Sequence, residues 1–279
     1  METTFPSHGD TTIPFICLPS PQIVFQARAA RFRQLAETHA SLGGYLRLMA
    51  DLAQIQHDLA LAPRESNSRD MARAIAEHIH GAGEPLATLL GRIRQASDAQ
   101  LDAWADALVA ADFEHIDAGL APFIAAALQV QRTAQAARLD PAQLALPEAG
   151  YLCPVCGSSP VAGALRTGGG ARGLRYLCCS FCATEWHRVR IHCVNCGSSE
   201  KVGYYGIEGA GRAVQAEACG ECGVYLKLMN REKEPRLDTV ADDIATLSLD
   251  ILMAEEGYAR LGFNPLLIPG AGDGRPQPH

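Results

Sequence analysis

Cys153-Pro154-Val155-Cys156-Gly157-Ser158-Ser159 and Cys193-Val194-Asn195-Cys196-Gly197-Ser198-Ser199 are one turn written twice, forty residues apart. Each is followed, after 22 residues, by a second pair: Cys179-Ser180-Phe181-Cys182 in the first copy, Cys219-Gly220-Glu221-Cys222 in the second. The register C-x2-C-x22-C-x2-C therefore runs in tandem and uses eight of the ten cysteines. Such a duplicated register marks two four-sulfur metal modules. Two thiolates separated by two residues converge on one ion from a tight turn, and Gly157 or Gly197 relieves crowding where that turn closes. A disulfide framework is the competing reading, but it needs an oxidising compartment, and nothing in the chain supports export.

The simplest partition places Cys153, Cys156, Cys179 and Cys182 on one metal and Cys193, Cys196, Cys219 and Cys222 on the other. An interleaved cross-brace has the same spacing and stays open. A forty-residue unit can scarcely bury enough apolar surface to fold alone, so the metal must supply much of its stability, on the order of ten kcal/mol. All-sulfur tetrahedral ligation suits zinc and iron alike.

At 279 residues the chain has room for more than one structural unit. With 24 basic and 31 acidic residues it carries no general attraction to nucleic acid or anionic lipid. Between Tyr151 and Pro235, ten basic residues face seven glutamates, a weak footprint for a nucleic-acid-binding zinc ribbon. The first basic residue is Arg28, and no apolar run reaches spanning length, so a soluble, cytoplasmic protein without a membrane span is expected. A homodimer is compatible with this composition.

The fold class expected is α+β with several domains: an all-α bundle, two small β-rich four-cysteine modules in tandem and a C-terminal helix. The boundaries read as an extended or flexible N-terminus over 1–19, a helical domain over 20–148, modules over 149–190 and 191–235, a helix and extended segment over 236–269, and a disordered tail over 270–279. Ser20-Pro21 starts a helix reaching Thr38, with Val24, Ala27 and Leu35 on one side. Tyr45, Leu48, Met49, Leu52, Ile55 and Leu59 form the stripe of a second helix, which ends before Pro63. Further helices are expected over Asp70–His80, Glu84–Ala96, Asp98–Ala111 and Leu120–Arg138, punctuated by Gly81, Gly83 and Pro122. Alanine dominates their apolar positions, so close packing is expected.

Asp140–Gly150 reads as a connector. Each module should be a few strands, with glycine hairpins at Gly168-Gly169-Gly170 and Gly209-Ala210-Gly211. Val240, Ile244, Leu247, Ile251, Tyr258 and Leu261 predict one long amphipathic helix over Asp238–Leu261, with Asn264–Pro269 extended beyond it.

The chain resembles the formate dehydrogenase accessory proteins (FdhE). The resemblance lies in Tyr151-Leu-Cys-Pro-Val-Cys-Gly-Ser, Gly173-Leu-Arg-Tyr-Leu, Thr184-Glu-Trp-His, Ala218-Cys-Gly-Glu-Cys-Gly-Val-Tyr-Leu-Lys and Ala241-Asp-Asp-Ile-Ala-Thr-Leu, and more weakly in Tyr45-Leu-Arg. It implies a cytoplasmic accessory protein needed for active respiratory formate dehydrogenase, acting on the enzyme's catalytic subunit, with two rubredoxin-like iron sites. Zinc is a plausible substitute. The alternative classes are an iron-dependent electron-transfer or redox-sensing protein, and the nucleic-acid-binding ribbon.

Cys178 offers a second candidate beside Cys179, but only Cys179 lies forty residues before Cys219, so Cys178 reads as a spectator. Cys17 reads as a small buried apolar residue. His187 and His192, five apart, would point to opposite faces of a strand and read as outside the ligand sets, and His78 and His80 as a solvated helix end. Trp186 and Tyr205 are candidates for client contact, with a core role the simpler one. No catalytic motif was found: G-x-S-x-G, H-E-x-x-H and G-x4-G-K-[ST] are all missing, so no enzymatic activity is expected.

Overall fold

The proline of Ser20-Pro21 has no amide to leave unpaired at a helix start, and α1 (Pro21–Thr38) begins there in the computed structural model, which describes residues 13–61, 67–81, 83–167 and 172–268. Ser20 holds extended backbone but makes no side-chain cap bond. The helices α2 (Gly43–Leu61), α3 (Ser68–His78), α4 (Glu84–Gln95), α5 (Asp98–Val109) and α6 (Ala121–Ala136) follow within one to three residues of the sequence expectation. Asn67 and Ser97 cap α3 and α5, their side chains accepting from the amides of Asp70 and Gln100. Alanine makes α6 slim enough to be buried on nearly every side, from Ala121 through Val130, and it is the axis of the bundle.

The buried face of α1 differs from the expected one. Phe25, Ala29, Phe32 and Ala36 point inward with Leu35, while Ala27 is exposed. The pattern was hidden by Arg28, a charge on the buried face, whose guanidinium donates to Asp238 at 3.2 Å and to Gln129 on α6 at 3.5 Å. On α2 the contact is deepest at Leu46, Ala50 and Ala53 beside the expected Met49 and Leu52.

Among the described residues the strands form a single eight-stranded sheet, seven of them from the second half and one from the N-terminal segment. Its strands are β1 (Ile16–Cys17), β2 (Pro160–Leu165), β3 (Arg175–Cys179), β4 (Glu185–His187), β5 (Val202–Tyr205), β6 (Val214–Cys219), β7 (Val224–Asn230) and β8 (Ala259–Arg260). Their order is β1-β4-β3-β2-β7-β6-β5, with β8 beside β7. The two repeats thus share one sheet, joined where β2 runs parallel to β7, Gly163 opposite Leu228 and Leu165 opposite Asn230. The 1–19 segment was expected to be extended or flexible; its residues 16–17 form an edge strand, Cys17 opposite Glu185. Gly209 and Gly211, at φ 77° and 74°, lie in the loop of the β5–β6 hairpin as expected. The glycines 168–170, the start through residue 12, Pro63 and the tail from 269 lie outside the described residues.

The long C-terminal helix predicted over Asp238–Leu261 is instead two short helices, α7 (Ala241–Ala245) and α8 (Leu247–Glu255), then strand β8. The break has a local cause. Lys227, fully buried in the middle of β7, donates to the main-chain carbonyls of Asp243 at 2.8 Å and Thr246 at 3.0 Å, taking acceptors a continuous helix would use. Residues 264–268, expected to be extended, form a buried turn in which Asn264 donates to the Val240 carbonyl and the Asp243 carboxylate. No helix among the described residues is long and apolar enough to cross a membrane.

Lys227 also ion-pairs with Asp243 at 3.1 Å and Asp250 at 2.6 Å, and Arg260 closes on Asp243 at 2.6 Å. Burial alone would raise the Asp243 carboxyl, but Arg260 and Lys227 hold it below its ordinary value. Its contribution to stability is therefore complete at neutral pH and is lost as acid takes the pH down through the carboxylate range. Lys227→Ala leaves the buried Asp243 and the half-buried Asp250 short of a partner, and a loss of about 3–5 kcal/mol is expected in denaturant unfolding followed by circular dichroism. An unchanged midpoint would show that the cluster does not anchor α7 and α8.

Candidate metal centres

Each four-cysteine set is assembled from two knuckles of one repeat. In the first, the Cys153 amide donates to Ser158 O at 2.9 Å and the Gly157 amide returns to Cys153 O at 2.9 Å, with Gly157 at φ 72°. The equivalent turn repeats at Cys193, Gly197 and Ser198, with bonds of 2.8 and 2.9 Å and Gly197 at φ 77°. The glycines serve because the turn closes through the left-handed region. The paired knuckles sit between β3 and β4 and between β6 and β7. There Gly223 takes φ 67°, and its counterpart Ala183 takes φ 56°, a conformation costing a residue with a Cβ about 1–2 kcal/mol. The Cys179 sulfur accepts from the amides of Phe181 and Cys182, both at 3.4 Å, a pattern that favours a thiolate.

The sulfurs of Cys153, Cys156, Cys179 and Cys182 lie within 4.8 Å of one another, as do those of Cys193, Cys196, Cys219 and Cys222. All eight candidate sulfurs are therefore brought together, four to a cluster, and the clusters form within a repeat rather than interleaved across repeats. Across the knuckles the sulfurs lie 3.5 Å apart for Cys153–Cys182 and 3.4 Å for Cys156–Cys179, and 3.7 Å for both Cys193–Cys222 and Cys196–Cys219. A tetrahedral ion with bonds of about 2.3 Å to sulfur sets an edge of about 3.8 Å. The second cluster fits that figure closely and the first is a few tenths of an ångström tighter. A disulfide would need about 2.05 Å. The donor set could hold zinc or iron, and the geometry does not separate them.

The four crowded sulfurs shift one another's ionisation in opposite directions. Hydrogen bonds with Cys153, Cys179 and Cys182 hold Cys156 far below the ordinary thiol range, burial pushes Cys179 well up, and bonding to Cys153 and Cys156 pushes Cys182 up. In the second cluster burial pushes Cys193 up to about 12. A bound cation replaces those protons, so metal binding and thiol ionisation are one event.

Cys178 stays outside the cluster. It faces away from Cys179 on β3, accepts from Thr239 Oγ1 at 3.2 Å, and is pushed up to about 12 by burial, the state of an inert thiol. Cys17 is half-buried and not simply apolar, because Arg166 Nη1 donates to its sulfur at 2.8 Å. His187 packs edge-on against Phe15 and Tyr176, and burial, with Arg175 and Arg188, holds it below the ordinary imidazole value. His192 Nδ1 lies 3.1 Å from the Gly197 carbonyl, and His78 Nδ1 2.7 Å from that of Ala74. Trp186 belongs to the core, its indole N–H on Gly150 O at 3.2 Å, whereas Tyr205 is exposed.

Several supporting residues escaped the sequence reading. Thr184 Oγ1 stands 3.1 Å from Cys182 Sγ and Ser158 Oγ 3.5 Å from Cys156 Sγ. From α6, Gln129 donates to Ser180 O at 2.9 Å, Arg132 to Ser158 Oγ at 3.1 Å, and Thr133 to Phe181 O at 3.5 Å. The polar residues Gln129, Arg132 and Thr133 in the alanine-rich α6 were the available signal.

Profiles described as FdhE N-terminal, FdhE central domain and FdhE C-terminal domain match residues 13–81 with 63–148, 152–190 and 191–267. The proteins named FdhE of Salmonella typhimurium (strain LT2) and Salmonella arizonae are 38% identical to this chain, over 94% of its length and 93% of theirs. The crystal structure of the FdhE protein from Pseudomonas aeruginosa superimposes with a TM-score of 0.81 at 35% identity, covering 92% of this chain and 100% of that one. With matches in the helical half and in both cysteine repeats, this chain belongs to the FdhE family.

Proposed function

We propose that this chain is a non-catalytic accessory protein for formate dehydrogenase, which holds the enzyme's catalytic subunit in the cytoplasm while it matures. The observation that carries this reading is family membership, with matches between residues 13 and 267, together with the convergence of both four-cysteine sets. Cys153, Cys156, Cys179 and Cys182 would bind one metal ion, and Cys193, Cys196, Cys219 and Cys222 a second. Iron is assigned in rubredoxin fashion, with zinc an acceptable replacement in the same sulfur cage. Four sulfurs satisfy a four-coordinate ion, which suits a structural task better than substrate activation.

The chain's own residues supply the surface. Val189, Ile191, Tyr204 and Tyr205 are exposed on or beside the second module, and the Arg190 guanidinium lies 5.4 Å from the Tyr204 ring. Exposed aromatics and aliphatics beside an arginine are the composition of a protein-binding patch. The first module is held against α6 through Gln129, Arg132 and Thr133.

Metal analysis of anaerobically purified protein should give two ions per chain, and Cys179→Ser or Cys219→Ser should each remove one. Two ions retained in both variants would contradict the ligand assignment. Co-purification with the formate dehydrogenase catalytic subunit should weaken about tenfold in Ile191→Glu, with metal content unchanged and formate dehydrogenase activity falling in a strain carrying only that variant. Full activity from chains lacking either metal would sink the accessory reading.

A further inference from the structure

The two centres have the same four ligands and different surroundings. Cys153, Cys179 and Cys182 are 1%, 2% and 0% exposed, and Cys156 is half-buried. Their knuckles are covered by α6 through Gln129, Arg132 and Thr133, with Arg132 stacked 5.2 Å from the Phe181 ring and Phe263 edge-on behind that ring at 6.1 Å. In the second centre Cys196 is exposed and Cys222 half-buried. Forty residues on from Ser180 and Phe181 stand Gly220 and Glu221, both exposed, with Glu221 paired to Lys201 at 2.8 Å.

The sulfurs also differ in what they receive. Thr184 places a hydroxyl 3.1 Å from Cys182 in the first centre, and the matching residue in the second is Val224, which has none. Here the Cys182 thiol donates to that hydroxyl; once a metal takes the place of the thiol proton, the hydroxyl turns to donate to the thiolate and draws charge off it, and where no hydroxyl stands the sulfur is more basic and easier to protonate or displace.

We propose that the second centre is an exchangeable metal site, open to an incoming thiolate or chelator, whereas the first is a closed structural centre. This rests on the metal reading above. In exchange, an external thiolate contributes its electron pair in place of Cys196, and the Cys196 sulfur leaves with its own pair and takes a proton from solvent, with no change of oxidation state. The exposed side of the cluster gives the attacker its path. In the first centre the same approach is blocked by α6 and by the Phe181–Phe263 contact.

The experiment uses the full chain loaded with zinc and first measures its stoichiometry. The loaded protein is challenged with excess EDTA, metal release is followed in time, and N-ethylmaleimide labelling is mapped by mass spectrometry. One equivalent should leave at least about tenfold faster than the other, with Cys196 and Cys222 labelled in the fast phase and Cys153, Cys179 and Cys182 in the slow one. Thr184→Val should speed the slow phase and leave the fast one unchanged. Two equivalents leaving at one rate, or early labelling of the first centre, would overturn the inference; a slow phase indifferent to Thr184→Val would overturn the hydroxyl's part in it. Fewer than two ions before the challenge would remove the metal reading itself, and this inference with it.

Discussion

Four cysteine sulfurs gathered within 4.8 Å of one another could hold a cation among them, and as thiolates they would repel one another without it. Two like charges about 4 Å apart cost on the order of 4 kcal/mol in a partly screened protein environment, and four thiolates make six such pairs. Protonation relieves the repulsion only by giving up the ligands. The glycine-closed turns and the amides aimed at sulfur make sense as scaffolding for an ion that repays this crowding. They also explain how short ribbons with little core of their own hold a defined shape.

Neither ribbon stands alone. The parallel pairing of β2 with β7 makes one sheet of the two repeats, and β7 carries the buried Lys227 that gathers Asp243, Asp250 and the carbonyls of α7 and Thr246. Arg28 and Arg31 on α1 reach Asp238 and Asp242 at the start of the same segment, at 3.2 and 2.6 Å. The helical half is thereby tied to the sheet by α6 on the first knuckles and by α1 on the C-terminal helices. The first centre sits inside these ties and the second beyond them, with the exposed Tyr204 and Tyr205.

The parts legible in the sequence were those with short-range causes. Ligand spacing, the forty-residue repeat and the helix starts at Pro21, Glu84 and Asp98 depend on neighbours a few residues away, and the resemblance to the FdhE family rests on the same local motifs. What escaped depends on distant partners. Arg28 disguised the buried face of α1 because its acceptor lies 210 residues later. The helix predicted through Thr246 is broken by a lysine on another strand, and a two-residue strand such as β1 has no periodicity to detect. At the centres, the eight sulfurs were found from spacing, while Thr184 and Gln129 became visible only through what they touch.

The most direct test is X-ray absorption at the metal edge of protein purified without oxygen. The account predicts four sulfur scatterers at about 2.3 Å around each ion and no nitrogen or oxygen neighbour in the first coordination sphere. An oxygen or nitrogen ligand at about 2.0–2.1 Å, or a metal-free chain with its paired cysteines oxidised, would contradict it.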